Sequence, residues 1–151
     1  MATTKGRIKA ISISKDRGTR KYNVPAAELK VDFGIESDAH RGNWHRQVSL
    51  LAQESIKKMR VKGAKVAAGD FAENITTEGI DLQSLTIGSK LRVGPDAELE
   101  ITQFGKECHS NCEIFQRIGD CIMPREGVFA KVTMPGRVKP GDRIKVSQQN
   151  D

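Results

Sequence analysis

Aromatic residues are scarce in this chain: one Trp, one Tyr and five Phe make up 5% of 151 residues. A surface that stacks unpaired nucleic-acid bases needs several such rings, so little material exists here for one. Long apolar runs are missing too. No segment approaches the roughly 20 residues required to span a bilayer, and no membrane association is expected. The opening Met1-Ala2-Thr3-Thr4-Lys5-Gly6-Arg7 lacks the apolar stretch of a secretory signal, and three cysteines cannot all pair with one another. The expected compartment is therefore the reducing cytoplasm. Internal repeats, low-complexity tracts and Pro/Gly/Ser linkers are also lacking, which points to one continuous domain over residues 1–151. The charge of +6, from 25 basic and 19 acidic residues, contains no arginine-rich block. No nucleic-acid partner is expected, although scattered basic residues can focus a field on a small anion such as a phosphate.

What the chain does contain is short strand patterns separated by turns. Candidate strands cover 6–14, 22–24, 47–51, 85–93, 97–103, 128–133 and 143–146. The clearest places Ala97, Leu99 and Ile101 in alternation with Glu98, Glu100 and Thr102, as a half-buried strand requires. Gly94-Pro95-Asp96, Met134-Pro135-Gly136 and Lys139-Pro140-Gly141-Asp142 supply turn chemistry between these runs. Helical patterns are limited to 52–59, with Ile56 and Met59 on one side, and 112–118, closed by Gly119. The fold class is mainly β: a closed or partly open antiparallel barrel, or a sandwich, with a few short helices at its ends.

Four segments carry groups with chemical potential. Cys108 follows a strand pattern directly and has Lys106 and His109 beside it, which would lower a thiol pKa, while Glu107 would raise it. A reactive sulfur and a packed small hydrophobe are both open readings for this cysteine. Zinc is a weaker reading of Cys108-His109-x-x-Cys112 and Cys121. Structural zinc sites join two separated ligand pairs, and here three of the candidates crowd one loop. Residues 38–46, with His40, Arg41, Gly42, Trp44, His45 and Arg46, are too polar for a core strand and read as a loop able to grip a phosphate or carboxylate. Residues 69–82 read as a shaped loop in which Asn74 either latches one backbone segment to another or contacts a ligand. Arg125, in a turn before the strand at 128, would point a charge at the site or pair with Glu126.

These segments, in this order, resemble the MOSC domain, named for the C-terminal part of molybdenum cofactor sulfurases. The resemblance rests on the 38–46 loop, Val48-Ser49-Leu50-Leu51, Gly69-Asp70-Phe71-Ala72-Glu73-Asn74-Ile75, Ile87-Gly88, and the step from Leu99 to Cys108. Residues 119–127 are similar to small stand-alone members associated with molybdopterin biosynthesis. The resemblance implies a barrel-like fold and a role around the molybdenum cofactor (molybdopterin). Cys108 would either accept sulfane sulfur as a persulfide, as a sulfurtransferase does, or ligate molybdenum in a reductase component. His109 and Lys106 would tune it. His40, Arg41, Arg46, Asn74 and Arg125 would form or shape the cofactor site. The implied partners are a cysteine desulfurase, whose pyridoxal phosphate is not expected in this chain itself, and the biosynthetic or acceptor enzymes of the cofactor. A different class of function, a non-catalytic module that binds molybdopterin or docks on a biosynthetic enzyme, would leave Cys108 structural.

Overall fold

The computed structural model describes residues 4–16, 19–105, 122 and 126–148. Eleven strands are found among them: β1 (Lys5–Ile13), β2 (Tyr22–Val24), β3 (Ala27–Lys30), β4 (Gly34–Ile35), β5 (Val48–Ala52), β6 (Ile75–Glu78), β7 (Lys90–Val93), β8 (Ala97–Phe104), β9 (Val128–Met134), β10 (Gly136–Val138) and β11 (Arg143–Gln148). The main sheet runs β11-β7-β8-β9-β5-β6-β1-β2, and a further pairing of β11 with β1 closes seven of these strands into a barrel. Closure removes the open edges that an isolated sheet would expose. It also explains the alternation in β8, where Ala97, Leu99 and Ile101 face the interior and Glu98 and Glu100 do not.

One neighbouring pair departs from the antiparallel pattern expected of the barrel. β5 and β6 run parallel, with Leu50 opposite Ile75 and Ala52 opposite Thr77. Parallel neighbours need a crossover connection, and helix α1 (Gln53–Val61) provides it. Ile56 and Met59 leave the solvent on one face of α1, as their spacing predicts. They pack outside the barrel with Leu51, Phe71 and Phe129, a cluster separate from the interior one of Ile8, Leu50, Ile75, Leu99 and Ile101. Each such fully buried side chain contributes about 1.5–3 kcal/mol of transfer free energy.

Three sequence expectations need correction. The run 85–93 is strand only from Lys90, because Leu82–Ser84 forms a 3-10 turn and Gly88, at φ 94°, bends the chain so that its N–H reaches the Ile101 carbonyl. Strand β6 was hidden inside the 69–82 loop. Its Ile75-Thr76-Thr77 is buried on both faces, so it carries no alternation to read. The short strands β3, β4 and β10 form a separate three-stranded sheet that no pattern in their few residues announces. The helix expected at 112–118 lies outside the described residues.

Asn74 stands where β6 begins and joins three strands. Its Oδ1 accepts from the Ser49 N–H at 2.9 Å and the Ser49 hydroxyl at 3.1 Å, and its Nδ2 donates to the Ser12 carbonyl at 3.1 Å. Its own backbone N–H and C=O bond Ser49 and Ser12 as well. The side chain is fully buried and spent on backbone from β5 and β1. Asn74→Ala leaves buried donors and acceptors unpaired in both strands, so denaturant unfolding should show a loss of about 2–4 kcal/mol with the m-value unchanged.

Candidate functional site

The 38–46 loop is held to the barrel by a buried charge cluster. Lys21, just before β2, has a side chain with no solvent exposure, and so does Asp38. The Lys21 ammonium donates to Asp38 Oδ1 at 2.8 Å and to the Ser14 hydroxyl at 2.9 Å, and lies 3.1 Å from His40 Nδ1. Asp38 Oδ1 also accepts from the Ser14 N–H, and Oδ2 from the His40 N–H at 3.0 Å. Burial alone would raise the Asp38 carboxyl. The hydrogen bond from the His40 backbone N–H and the charge and hydrogen bond of Lys21 outweigh it, and hold the group well below the usual carboxylate range.

Lys21 is also tied to the 69–74 loop, because its backbone N–H donates to the Gly69 carbonyl at 2.8 Å. Gly69 sits at φ 93°, and a Cβ there would run into the Lys21 carbonyl oxygen and, at 2.9 Å, the Ser12 hydroxyl. Only glycine fits this close approach. The loop closes on Glu73, fully buried, which accepts from the Gly69 and Phe71 N–H groups and the Thr76 hydroxyl. Desolvation dominates over those bonds, and the Glu73 carboxyl is raised.

Beyond Asp38 the loop gathers around the single tryptophan. Trp44 Nε1 donates to the His40 carbonyl at 2.7 Å, and the rings of His40 and Trp44 lie parallel with centroids 6.3 Å apart. His45 meets Trp44 edge-on at 5.8 Å, and the Arg46 guanidinium carbon lies 6.0 Å from the Trp44 ring centre and 5.5 Å from that of Phe129. His45 Nε2 and Arg46 Nε both meet Gln103 Oε1, at 2.9 and 3.2 Å. Gln103 Nε2 in turn donates to the Gly105 carbonyl at 2.7 Å, where β8 ends. The Thr102 hydroxyl donates to the His45 carbonyl, a second tie between loop and strand. Arg41 is exposed, with Nη1 donating to the Asp38 carbonyl at 2.9 Å.

The sequence-predicted residues thus divide into three groups. His40 and Arg46 come together on Trp44, with Arg41 on the same loop. Asn74 is latched inside the barrel wall, where its amide is consumed by backbone. Cys108, His109, Lys106 and Arg125 lie outside the described residues. Sequence reading missed Lys21, Ser14 and Gln103. Lys21 has no local signal, since it stands between Arg20 and Tyr22 in an ordinary polar stretch; the Asp38-x-His40 spacing, which lets one carboxylate bond the backbone two residues on, was the available clue to its partner.

Guanidinium groups and imidazoles next to a ring give this loop donors suited to a small oxyanion such as a phosphate. No cluster of three His, Cys, Asp or Glu able to hold a metal occurs among the described residues. A cavity of about 300 Å³ beside α1 is instead lined by Glu54, Asp81 and Glu126 with a single Lys58, and does not suit a phosphate. No helix among the described residues is long and apolar enough to cross a membrane.

The family model of the MOSC domain matches residues 37–145. Among solved structures, the YuaD protein from Bacillus subtilis is similar with a TM-score of 0.80 at 20% identity, covering 97% of each chain. YiiM from Geobacillus stearothermophilus has a TM-score of 0.70 at 17% identity, over 95% of this chain and 75% of that one. YiiM from Escherichia coli gives 0.68 at 18%, over 96% and 71%. No curated protein matches the sequence.

Asp38 makes acid stability measurable. Its carboxyl is depressed in the fold, so its contribution is complete above its ordinary value of 3.8 and is lost as pH falls below it. Glu73, being raised, acts in the opposite sense and loses its contribution as pH climbs above 4.5. Asp38→Asn should cost about 3–5 kcal/mol at pH 7, because Lys21 is left buried without its counter-charge. In urea unfolding at successive pH values, the gap between variant and wild type should narrow below about pH 4.

Proposed function

The chain belongs to the MOSC domain family, which is associated with molybdenum-cofactor proteins, and from that premise we propose that it handles sulfur for the cofactor. In this reading the 38–46 loop grips the phosphate of the pterin through Arg41, Arg46 and His40, and Cys108 carries the sulfur. The observation that supports it most is the clamp on Gln103. His45 and Arg46 converge on this residue two positions before Gly105, and Cys108 follows Gly105 by three positions in the sequence. An anion held on the loop therefore borders the strand end that leads to the cysteine.

The transfer step needs no outside oxidant. The Cys108 thiolate attacks the terminal sulfane sulfur of a persulfide on a cysteine desulfurase, the desulfurase cysteine departs as thiolate, and Cys108 becomes the persulfide. Lys106 and His109 supply the positive charge that favours the thiolate, and Arg125 joins the residues that bind the cofactor. The residues of the 38–46 loop would hold the phosphate of the cofactor beside that persulfide.

Incubation with a pyridoxal-phosphate-dependent cysteine desulfurase and cysteine, followed by mass spectrometry of the digested protein, should reveal one added sulfur on the peptide containing Cys108. Cys108→Ser should abolish the addition, while Cys112→Ser and Cys121→Ser keep it. Sulfur found equally on all three cysteines, or on none, rejects the carrier role.

A further inference from the structure

A lysine ammonium has hydrogens to give and no lone pair to accept with. Lys21 is buried beside Asp38 Oδ1 at 2.8 Å, a contact that favours its charged form, and the same Nζ lies 3.1 Å from His40 Nδ1. We infer that Lys21 is a positioning residue that fixes His40 as the neutral tautomer protonated on Nε2. A proton on Nδ1 would set two donors face to face at 3.1 Å. Asp38 Oδ2, at 3.6 Å from Nδ1, already receives the His40 backbone N–H. The parallel Trp44 ring and the Trp44 bond to the His40 carbonyl keep the imidazole plane in place.

The consequence is chemical. With Nδ1 occupied as an acceptor and Nε2 carrying the hydrogen, His40 can neither coordinate a metal nor act as a base through Nε2. Any bond it makes through Nε2 is then made as a neutral N–H donor, to an acceptor such as a phosphate oxygen. This deepens the proposed function and rests on it for the identity of the ligand, while the tautomer itself is decided without any ligand or sulfur transfer.

The test is long-range proton–nitrogen NMR of protein labelled with nitrogen-15 histidine, at pH 7.5, with His40 assigned by its loss in His40→Gln. Wild type should show an unprotonated, pyridine-like Nδ1 and a protonated Nε2. Lys21→Met should move the proton to Nδ1, which then faces Asp38, and Lys21→Arg, which restores a cationic donor, should return the wild-type pattern. A wild-type spectrum with Nδ1 protonated overturns the assignment, and so does a folded Lys21→Met protein with the pattern unchanged. If Lys21→Met does not fold, the wild-type spectrum decides alone. Sulfur loading of Cys108 is read separately, so a failure of the carrier role leaves this result standing and the reverse holds equally.

Discussion

A lysine and an aspartate withdrawn from water against each other hold the candidate site together. Each charge alone would cost several kcal/mol to bury, and their attraction offsets that only when every remaining proton and lone pair finds a partner. Here Lys21 has Asp38, Ser14 and His40 around it, and Asp38 takes two backbone N–H groups besides. The pair therefore does more than neutralise itself. It spans the end of β1, the approach to β2 and the head of the 38–46 loop. Ser14 accepts the Ala39 N–H on its carbonyl, so backbone reinforces the same junction.

The barrel supplies the rigidity that such a cluster needs. Loops make precise sites only when a stiff scaffold fixes their ends. Asn74 staples β5 and β1 to the start of β6, and Glu73 organises the turn before it. That turn reaches Lys21 through the Gly69 carbonyl. Hydrogen bonds and short stretches of chain thus link the barrel wall, through Glu73, Gly69 and Lys21, to the partly buried imidazole of His40. At the other end of the loop, His45 and Arg46 are fastened to β8 through Gln103 and Thr102. Both ends of the cation-bearing segment are therefore anchored on strands.

How much of this was legible in the sequence follows from what each residue advertises. Alternation in β8, the turn chemistry at 94–96 and 139–142, and the two apolar positions of α1 are local signals, and they led to a mainly β barrel with a short helix. Strand β6 was invisible because a strand covered on both faces has no polar side to mark it. The parallel β5–β6 pair is hidden for a second reason: it can be read only once β6 itself carries a strand signal. His40, Arg41 and Arg46 could be named because cationic and imidazole groups cluster in one short polar loop. Lys21 could not, since a lysine is among the residues least often buried and nothing beside it forecasts an aspartate seventeen positions later. Long-range pairing of this kind is a property of topology, not of a window.

The scarcity of aromatic residues gives Trp44 more weight than one ring would ordinarily have. In a chain with a single tryptophan, this ring is flanked by His40, His45 and Arg46, so it separates donors that would otherwise crowd or drift. Arg46 lies between two rings, Trp44 and Phe129, and its Nε is committed to Gln103. A forked grip on an oxyanion must then use its two terminal nitrogens, whose plane is set by those contacts. A lysine at this position would keep the charge and lose the plane. The packing that keeps the loop folded therefore also sets the plane of its guanidinium.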